Sequence, residues 1–565
     1  MNVRTLAAGL AIAAVALVSG NVANAQDQDT RVLKLRGRVL NAVTSEPVAR
    51  ALVNLQGSNA ATLTDDHGQF EFNIESKTNS ANGEVTMGFV GRAVEVRKLG
   101  FIQNYRSPTM VPNFPANESP ELTIRILPEA KIVGHIDVPE SEGEVHILSQ
   151  LYRKESREGR ENWQPQQSFT SWVDGEFRFY GLRPGTYKLI THEQMDRDSP
   201  PEPGEQLYGY PPMYYPNTTD FSIASSIVVK AGETARVNLA VARRAYFPVQ
   251  IGVENMPAGR RLNISVYPMG HPSPGWSLGY NPREGTIEGI LPDGNYTVEA
   301  STPGEGELSG RANFSVKGKP SEGTTLTLVP DATISVNVHE DFQSAPSNFG
   351  ENRGVSQDGR TSVSRYANVN VNLVPLDELN MLGKRASSRG SEGSQGPVLT
   401  IPDVRPGRYQ VEVNAGSGYV ASLQSGGKDL SRQPLVVGLG GEVPPIEVVL
   451  RDDGAQVDGT LEEETTAGVS APDSTATSPN MRFVYLIPMA DASRPRNAQA
   501  WRGQFSASQL PPGSYLVVAF DQPQQDLPSG PGEAMQRLMS KGQVVRVESG
   551  QHVSLRVKVI ESDVE

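Results

Sequence analysis

The stretch that decides the fold is Glu176-Phe-Arg-Phe-Tyr-Gly-Leu-Arg-Pro-Gly-Thr-Tyr-Lys-Leu-Ile190, in which two short apolar runs flank a proline–glycine turn. Runs of this length and composition predict β-strands. Proline presets φ at the first turn position, and glycine is expected to take a positive φ after it. The tyrosine that follows restarts a strand with a large side chain, which we interpret as a core residue.

This turn is an internal repeat, which indicates one structural module per copy. It recurs at a spacing of about 110 residues as Leu182-Arg-Pro-Gly185-Thr-Tyr187, Leu291-Pro-Asp-Gly294-Asn-Tyr296, Val404-Arg-Pro-Gly407-Arg-Tyr409 and Leu510-Pro-Pro-Gly513-Ser-Tyr515. Buried aromatic positions commonly recur in sandwich proteins, whereas a repeated ligand site would be unusual. We therefore expect these tyrosines to be buried.

A second repeated feature places the module boundaries. A closing strand runs into the next opening strand after only a few residues, as in Leu122 to Leu127 followed by Ile132 to Val138. The chain is therefore predicted to be all-β, a tandem array of about five β-sandwich modules after a signal peptide. The predicted segments are a signal peptide at 1–25 and modules at 31–128, 129–243, 244–330, 331–451 and 452–560.

The length and composition of the segments between and within the modules predict which of them are stiff, helical or disordered. Linkers this short predict a stiff rod. The second module contains a Tyr/Pro-rich loop; helical periodicity is scarce, and Gly532–Lys541 is the best helical candidate. Ser/Gly/Thr-rich composition predicts flexible insertions in the fourth module and disorder in the stretches Asp341–Thr361, Lys384–Gln395 and Glu462–Pro479.

The amino-terminal residues predict export. Arg4 gives a positive start, Leu6 to Val18 form a short apolar run, and Ala23-Asn-Ala25 offers a small-residue cleavage site before Gln26. The run is too short for a membrane anchor, and we find no later stretch of the roughly 18 apolar residues that a spanning helix needs. We predict a bacterial protein that is periplasmic or secreted and does not span a membrane after signal cleavage.

Composition excludes several classes of partner and chemistry. The chain has no cysteine, which removes disulfides, a thiolate nucleophile, sulfur-based zinc sites and a lipid-anchored cysteine. The formal net charge is −13, and no long run of lysine or arginine could follow a phosphate backbone. Nucleic acid is therefore not an expected partner.

Catalytic motifs are also missing. None of the seven histidines stands in a His-x-x-Glu or His-Glu-x-x-His pattern. Gly416-Ser-Gly418 lacks the spacing of a serine hydrolase elbow. We predict a protein that is not an enzyme, with no catalytic residue, metal or cofactor.

The first module carries a family resemblance in Gly37-Arg-Val-Leu40, Glu46-Pro-Val-Ala-Arg-Ala-Leu-Val-Asn-Leu55, Thr62-Leu-Thr-Asp-Asp-His-Gly-Gln-Phe-Glu-Phe72 and Val96-Arg-Lys-Leu-Gly-Phe101. It resembles the carboxypeptidase regulatory-like domain of multi-module bacterial proteins. The resemblance implies Ig-like or transthyretin-like β-sandwiches, similar in shape to some carbohydrate-binding modules. The Asp65-Asp-His-Gly68 stretch is interpreted as a turn rather than a metal loop.

One segment stands out from the scaffold as a candidate ligand site. Residues Leu207 to Phe221 contain four tyrosines and three prolines. Flat aromatic faces on a stiff loop can stack on sugar rings, so the candidate ligand-binding residues are Trp172, Tyr208, Tyr210, Tyr214 and Tyr215. The alternative, which we favour, is a lid that covers an open sandwich end and buries its own rings.

The leading hypothesis is an exported, non-catalytic structural or interaction protein of the bacterial cell envelope, with an envelope protein or polysaccharide as partner. The alternative is a carbohydrate-binding protein that uses the aromatic loop. The sequence contains no feature that indicates an oligomeric state.

Overall fold

A computed structural model describes residues 30–57, 60–78, 85–86, 92–103, 109–111, 121–138, 145–157, 160–171, 175–196, 205–343, 369–376, 386–393, 396–416, 418–462, 482–490, 495–500, 503–521, 524, 527 and 533–560. The predicted signal peptide, Trp172 and most of the three stretches predicted to be disordered lie outside the described residues.

The chain divides into two compact units. The first comprises the described residues of Met1–Leu40, Pro47–Val96 and Pro108–Ile124, and the second comprises those of Asn41–Glu46, Arg97–Ser107 and Arg125–Glu565.

The region of the predicted first module contains short strands throughout: β1 (Thr30–Asn41), β2 (Leu52–Leu55), β3 (Ala61–Leu63), β4 (Gln69–Thr78), β5 (Val85–Thr86), β6 (Ala93–Arg97), β7 (Phe101–Ile102), β8 (Thr109–Met110) and β9 (Glu121–Pro128). In the first unit β4 lies between β5 and β1, and a second sheet runs β3-β2-β6-β8. In the second unit β7 pairs with the end of β9.

The predicted second module contains β10 (Ala130–Asp137), β11 (Leu148–Arg157), β12 (Arg160–Thr170), β13 (Glu176–Leu182), β14 (Gly185–Thr191), β15 (Gln194–Met195), β16 (Leu207–Tyr210), β17 (Ile227–Val229) and β18 (Thr234–Ala240). The third contains β19 (Arg244–Glu254), β20 (Asn263–Pro268), β21 (Gly279–Asn281), β22 (Thr286–Pro292), β23 (Gly294–Ser301), β24 (Leu308–Val316), β25 (Ser321–Thr327) and β26 (Val329–Pro330).

The predicted fourth module contains β27 (Ala332–Asp341), β28 (Val369–Pro375), β29 (Ala386–Ser387), β30 (Arg389–Gly393), β31 (Gly396–Val404), β32 (Gly407–Ala415), β33 (Tyr419–Ser425), β34 (Lys428–Asp429), β35 (Leu435–Val437) and β36 (Ile446–Arg451). The fifth contains β37 (Ala455–Glu462), β38 (Arg482–Pro488), β39 (Arg496–Ala500), β40 (Gln504–Leu510), β41 (Gly513–Phe520), α1 (Glu533–Lys541), β42 (Gln543–Val547) and β43 (His552–Ile560).

The fold is all-β, as predicted, and α1 lies at the predicted helix. No described strand crosses the predicted boundaries between the second, third, fourth and fifth modules. The division into modules itself stays a prediction.

The second to fifth modules share one strand order. In the first sheet of each module the opening strand pairs antiparallel with the strand before the tyrosine turn and parallel with the closing strand, as in β13-β10-β18, β22-β19-β25, β31-β27-β36 and β40-β37-β43. The second sheet is built around the strand after the turn, as in β11-β14-β17, β20-β23-β24, β28-β32-β35 and β38-β41-β42.

The core of each module lies between its two sheets. In the fourth module, Ile334 and Val336 of β27 belong to the same buried cluster as Val371 and Leu373 of β28. Burying an aliphatic side chain of this size contributes about 1.5–3 kcal/mol. The alternation seen in the sequence is the inner face of each strand, so the modules are β-sandwiches.

The repeated turn therefore crosses from one sheet to the other. The two strands that flank it, such as β13 and β14, pair with other strands and not with each other. The tyrosine hydroxyl donates to the carbonyl oxygen four residues earlier in every copy: Tyr187 to Arg183 at 2.7 Å, Tyr296 to Pro292 at 2.9 Å, Tyr409 to Arg405 at 2.8 Å and Tyr515 to Pro511 at 2.7 Å. All four tyrosines are buried, which confirms the packing interpretation.

The positive φ expected of the turn glycine is confirmed at the first copy and wrong at the other three. Only Gly185 has φ in the positive range, at 150°, and the other three turn glycines do not. In two copies glycine provides space: a Cβ atom on Gly294 would lie 2.9 Å from the Tyr296 ring, and one on Gly407 would lie 3.3 Å from the Tyr409 ring. A Cβ atom on Gly513 would lie 4.0 Å from the Tyr515 ring, which is an ordinary contact distance.

A second expectation is corrected in the fourth module. Disorder was expected across Lys384–Gln395, yet Ala386–Ser387 pairs with β28, and Arg389–Gly393 pairs with β31. Edge pairing of this kind needs only backbone hydrogen bonds, so a stretch poor in apolar side chains can still be a strand.

The interpretation of the Asp65 turn in the first unit is confirmed. The Asp65 carboxylate accepts hydrogen bonds from the backbone N–H groups of His67 at 2.9 Å and Gln69 at 2.7 Å. Gly68 adopts φ of 72°. These contacts account for the sequence of the turn without a metal.

The tyrosine hydrogen bond can be tested by Tyr409→Phe, which keeps the ring and leaves the Arg405 carbonyl oxygen without its donor. We expect the free energy of unfolding of the transition that contains the fourth module to fall by about 1–2 kcal/mol, measured by urea denaturation of the full chain. Tyr180→Phe, at an exposed ring, is the control and should change stability by less than about 0.5 kcal/mol. Equal effects of the two substitutions would contradict the assignment.

Candidate functional site

The Tyr/Pro-rich segment joins two modules through the backbone. Strand β16 pairs antiparallel with β19, with Leu207 opposite Tyr246 and Gly209 opposite Arg244, and β15 pairs with β16 on its other edge. Two strands from the second module thereby extend the sheet of the third module in the order β15-β16-β19-β22-β21. Strand addition of this kind gives main-chain hydrogen bonds along the whole contact.

An ion pair of the second module lies at this joint, where Arg243 directly precedes β19. Arg243 Nε donates to Asp196 Oδ2 at 2.7 Å, and its Nη2 lies 2.7 Å from the same oxygen. The side chains are 17% and 4% exposed, so the pair is largely shielded from solvent. The Arg243 guanidinium also lies 4.0 Å from the centroid of the Tyr208 ring. Breaking such a buried pair by removing one partner typically costs about 3–5 kcal/mol.

Two of the candidate tyrosines are fully buried. Tyr210 belongs to the core of the second module. Tyr214 packs edge-on against Phe221, and its hydroxyl donates to the Pro274 carbonyl oxygen of the third module at 2.9 Å. Burial raises the pKa of Tyr214 well above its usual value. Neither ring presents a face to a ligand in this conformation.

The other two candidate tyrosines are half-buried. Tyr208 carries Arg243 on its ring. Tyr215 packs against the core of the second module, its N–H donates to the Leu189 carbonyl oxygen at 3.0 Å, and the peptide bond that follows it, to Pro216, is cis. The structure therefore brings Tyr208, Tyr210, Tyr214 and Tyr215 into one loop that packs on the protein, while Trp172 lies outside the described residues. Ligand binding by these residues stays a prediction.

A buried cation under the loop was missed by the sequence analysis. Lys188 is 5% exposed, and its Nζ donates to the Phe221 carbonyl oxygen at 2.7 Å. The same Nζ lies 4.8 Å from the Trp163 ring centroid and 4.5 Å from that of Phe221. Lys188 follows the turn tyrosine on β14, where alternation predicts an outward side chain. The aromatic segment covers that outer face and encloses the ammonium group.

The joint also contains Glu193, a carboxyl group whose pKa is raised by burial. Glu193 precedes β15, and its N–H donates to the Gly275 carbonyl oxygen of the third module at 2.9 Å. Among the described residues, neither its Oε1 nor the nearby Tyr246 hydroxyl oxygen has a partner in full hydrogen-bond geometry. Burial raises the pKa of Glu193 to about 8, and the Tyr246 hydroxyl and the Ser277 N–H offset this only in part. Burial therefore favours the protonated form of Glu193.

The contact between the third and fourth modules also contains an arginine–carboxylate pair. Arg405, in the tyrosine turn of the fourth module, donates from Nη2 to Glu307 Oε2 of the third module at 3.2 Å. Glu307 is buried, and its N–H donates to Asp403 Oδ1 at 3.1 Å. The loop after β23 is thus tied to the fourth module by a charge pair and a backbone hydrogen bond.

The described part of the chain shows neither a metal-ligand cluster nor a membrane-spanning helix. It holds no group of three or more His, Cys, Asp or Glu side chains placed to bind a metal ion. In that same part, no helix has the length and apolar character needed to span a membrane.

The sequence matches no protein-family model and no curated protein. Solved structures with some likeness include a streptococcal ancillary pilin, at 10% identity over 53% of this chain and 100% of the pilin with a TM-score of 0.17. The shaft pilin SpaA of Lactobacillus rhamnosus GG shows 12% identity over 38% and 98%, with a TM-score of 0.18. The Bacillus anthracis TIE protein shows 9% identity over 91% and 100%, with a TM-score of 0.14.

At these TM-scores the likenesses carry no argument about fold or function. The class of the protein follows from its own sheets: an all-β chain of β-sandwich modules in which the third module is joined to the second by shared backbone pairing and to the fourth by a charge pair.

The Glu193 carboxyl should make the joint sensitive to pH. Its pKa rises from an ordinary 4.5 to about 8 on folding, so its contribution to stability is complete below pH 4.5 and is lost as the pH rises through 8. We expect the free energy of unfolding of the transition containing this joint to fall across that window, by up to about 1 kcal/mol per pH unit. Urea denaturation at several pH values measures it.

Glu193→Gln removes the titrating group and should flatten this part of the pH profile. Glu284→Gln, at an exposed carboxylate of the third module, is the matched control and should leave the slope unchanged. A Glu193→Gln profile as steep as that of the wild type would show that another group is responsible.

Proposed function

We propose that this chain is an exported, non-catalytic structural protein of a bacterial cell envelope, which holds interaction surfaces at fixed positions relative to one another. The observation that carries the proposal is the strand addition of Leu207–Tyr210 to β19, locked by Arg243 and Asp196. A joint made in this way resists bending, because motion would break main-chain hydrogen bonds and expose a charge pair.

Exposed sheet edges support a role in docking other molecules. Strand β17 ends its sheet, and Val228 at its centre is 63% exposed. Strand β42 likewise carries an exposed valine, Val544. Unpaired edges with apolar side chains are sites at which a partner chain can add a strand.

The finer assignments follow from the sequence. The predicted signal peptide at 1–25 supports a periplasmic or secreted location, and the first-module motifs resemble those of the carboxypeptidase regulatory-like domain. The alternative of glycan binding is left with Tyr208 and Tyr215, the two loop tyrosines that are half-buried rather than buried.

The proposal can be tested by photo-crosslinking in the native host. A benzophenone amino acid is introduced in turn at the exposed positions Ile223, Val228 and Val544, and adducts are identified by mass spectrometry after cell fractionation. We expect an extracytoplasmic protein that forms a discrete adduct with another envelope protein or with polysaccharide. Samples kept in the dark are the control.

Recovery of the chain in the cytoplasm, or the absence of an adduct at all three positions, would contradict the proposal. An adduct with polysaccharide that is lost on Tyr208→Ala and Tyr215→Ala would instead favour the glycan-binding alternative.

A further inference from the structure

A cleft between the third and fourth modules has the features of a ligand site. It encloses a volume of about 340 Å³, which lies in the range of small-molecule pockets. One wall is formed by β20, β23 and β24 of the third module, and the other by the start of β32 and by β35 of the fourth. The Arg405–Glu307 pair ties the two walls together.

The cleft contains one guanidinium that has no carboxylate partner among the described residues. Arg311 lies in an ion pair with Glu299 on the third-module wall, and Arg405 is neutralised by Glu307. Arg408, on the opposite wall, is exposed and has no carboxylate partner among the described residues. Arg408 therefore offers its guanidinium to a ligand.

Apolar surface lies directly beside this cation. Arg408 is the cross-strand neighbour of Val436, which is 59% exposed, and Leu439 farther along the same wall is 46% exposed. An unpaired guanidinium next to exposed aliphatic groups is complementary to a molecule with one negative charge and a short apolar part.

We propose that this cleft binds a small amphiphilic carboxylate. Its carboxylate accepts hydrogen bonds from the Arg408 guanidinium, and its hydrocarbon part covers Val436 and Leu439. Arg408, Val436 and Leu439, which contact the ligand, take no part in the joints, although Arg405 of the joint lines the same cleft. Rings of the aromatic loop take no part in it.

Isothermal titration of the full chain with sodium octanoate tests the proposal. We expect saturable binding that weakens as salt is added, because the charge pair is partly exposed to solvent. Acetate lacks the apolar part and 1-octanol lacks the charge, so both should bind at least tenfold more weakly. Failure of octanoate to bind saturably at millimolar concentration would overturn the proposal.

Variants locate the binding within the cleft. Arg408→Gln should weaken octanoate binding by about tenfold or more, and Val436→Ser should weaken it as well. Arg432→Gln, at an arginine of the same module that is 80% exposed, is the matched control and should leave affinity unchanged. Unchanged melting temperatures show that each variant is folded, and wild-type affinity in both Arg408→Gln and Val436→Ser would overturn the assignment.

Discussion

The hydrogen bond from a tyrosine hydroxyl to the carbonyl oxygen four residues earlier is the constraint on which each module from the second to the fifth depends. It closes the turn where the chain leaves one sheet and enters the other, as in Tyr409 to Arg405. A comparable tyrosine corner occurs in immunoglobulin-like sandwiches. In the third and fourth modules the buried ring also fills the space above the turn glycine, so the hydroxyl, the ring and the glycine together set where the second sheet begins.

The second module contacts the third through the chain segment that follows β14. After the corner, the chain that follows β14 pairs with the next module through Leu207–Tyr210 and then returns over the outer face of β14, where Phe221 covers Lys188. The same aromatic side chains thus close one sandwich and contact another: Tyr210 lies in the second-module core, while Tyr214 donates to Pro274 of the third module. Glu193 sits at the crossing between them, where burial favours its protonated form.

The sequence was sufficient for the fold class, the repeat and the burial of its tyrosines, because alternating apolar residues and proline–glycine turns act locally. It was not sufficient for the role of Gly294, since the contact with the Tyr296 ring exists only after the strand has formed. The burial of Lys188 and the pairing of Leu207 to Tyr210 with β19 depend on where a distant segment lies. The aromatic segment could be singled out from composition, but its use as a joint could not.

The central claim is that the Tyr/Pro-rich segment holds the second and third modules in one fixed arrangement. Because the chain has no native cysteine, spin labels can be placed selectively through Val228→Cys and Met269→Cys, both at exposed positions in the two modules. Pulsed electron–electron double resonance on the full chain should give one narrow distribution of distances between the two spin labels. Dilution of the protein should leave this distribution unchanged. A broad or multi-peaked distribution would contradict the account, because it would mean that the modules move freely despite the shared sheet.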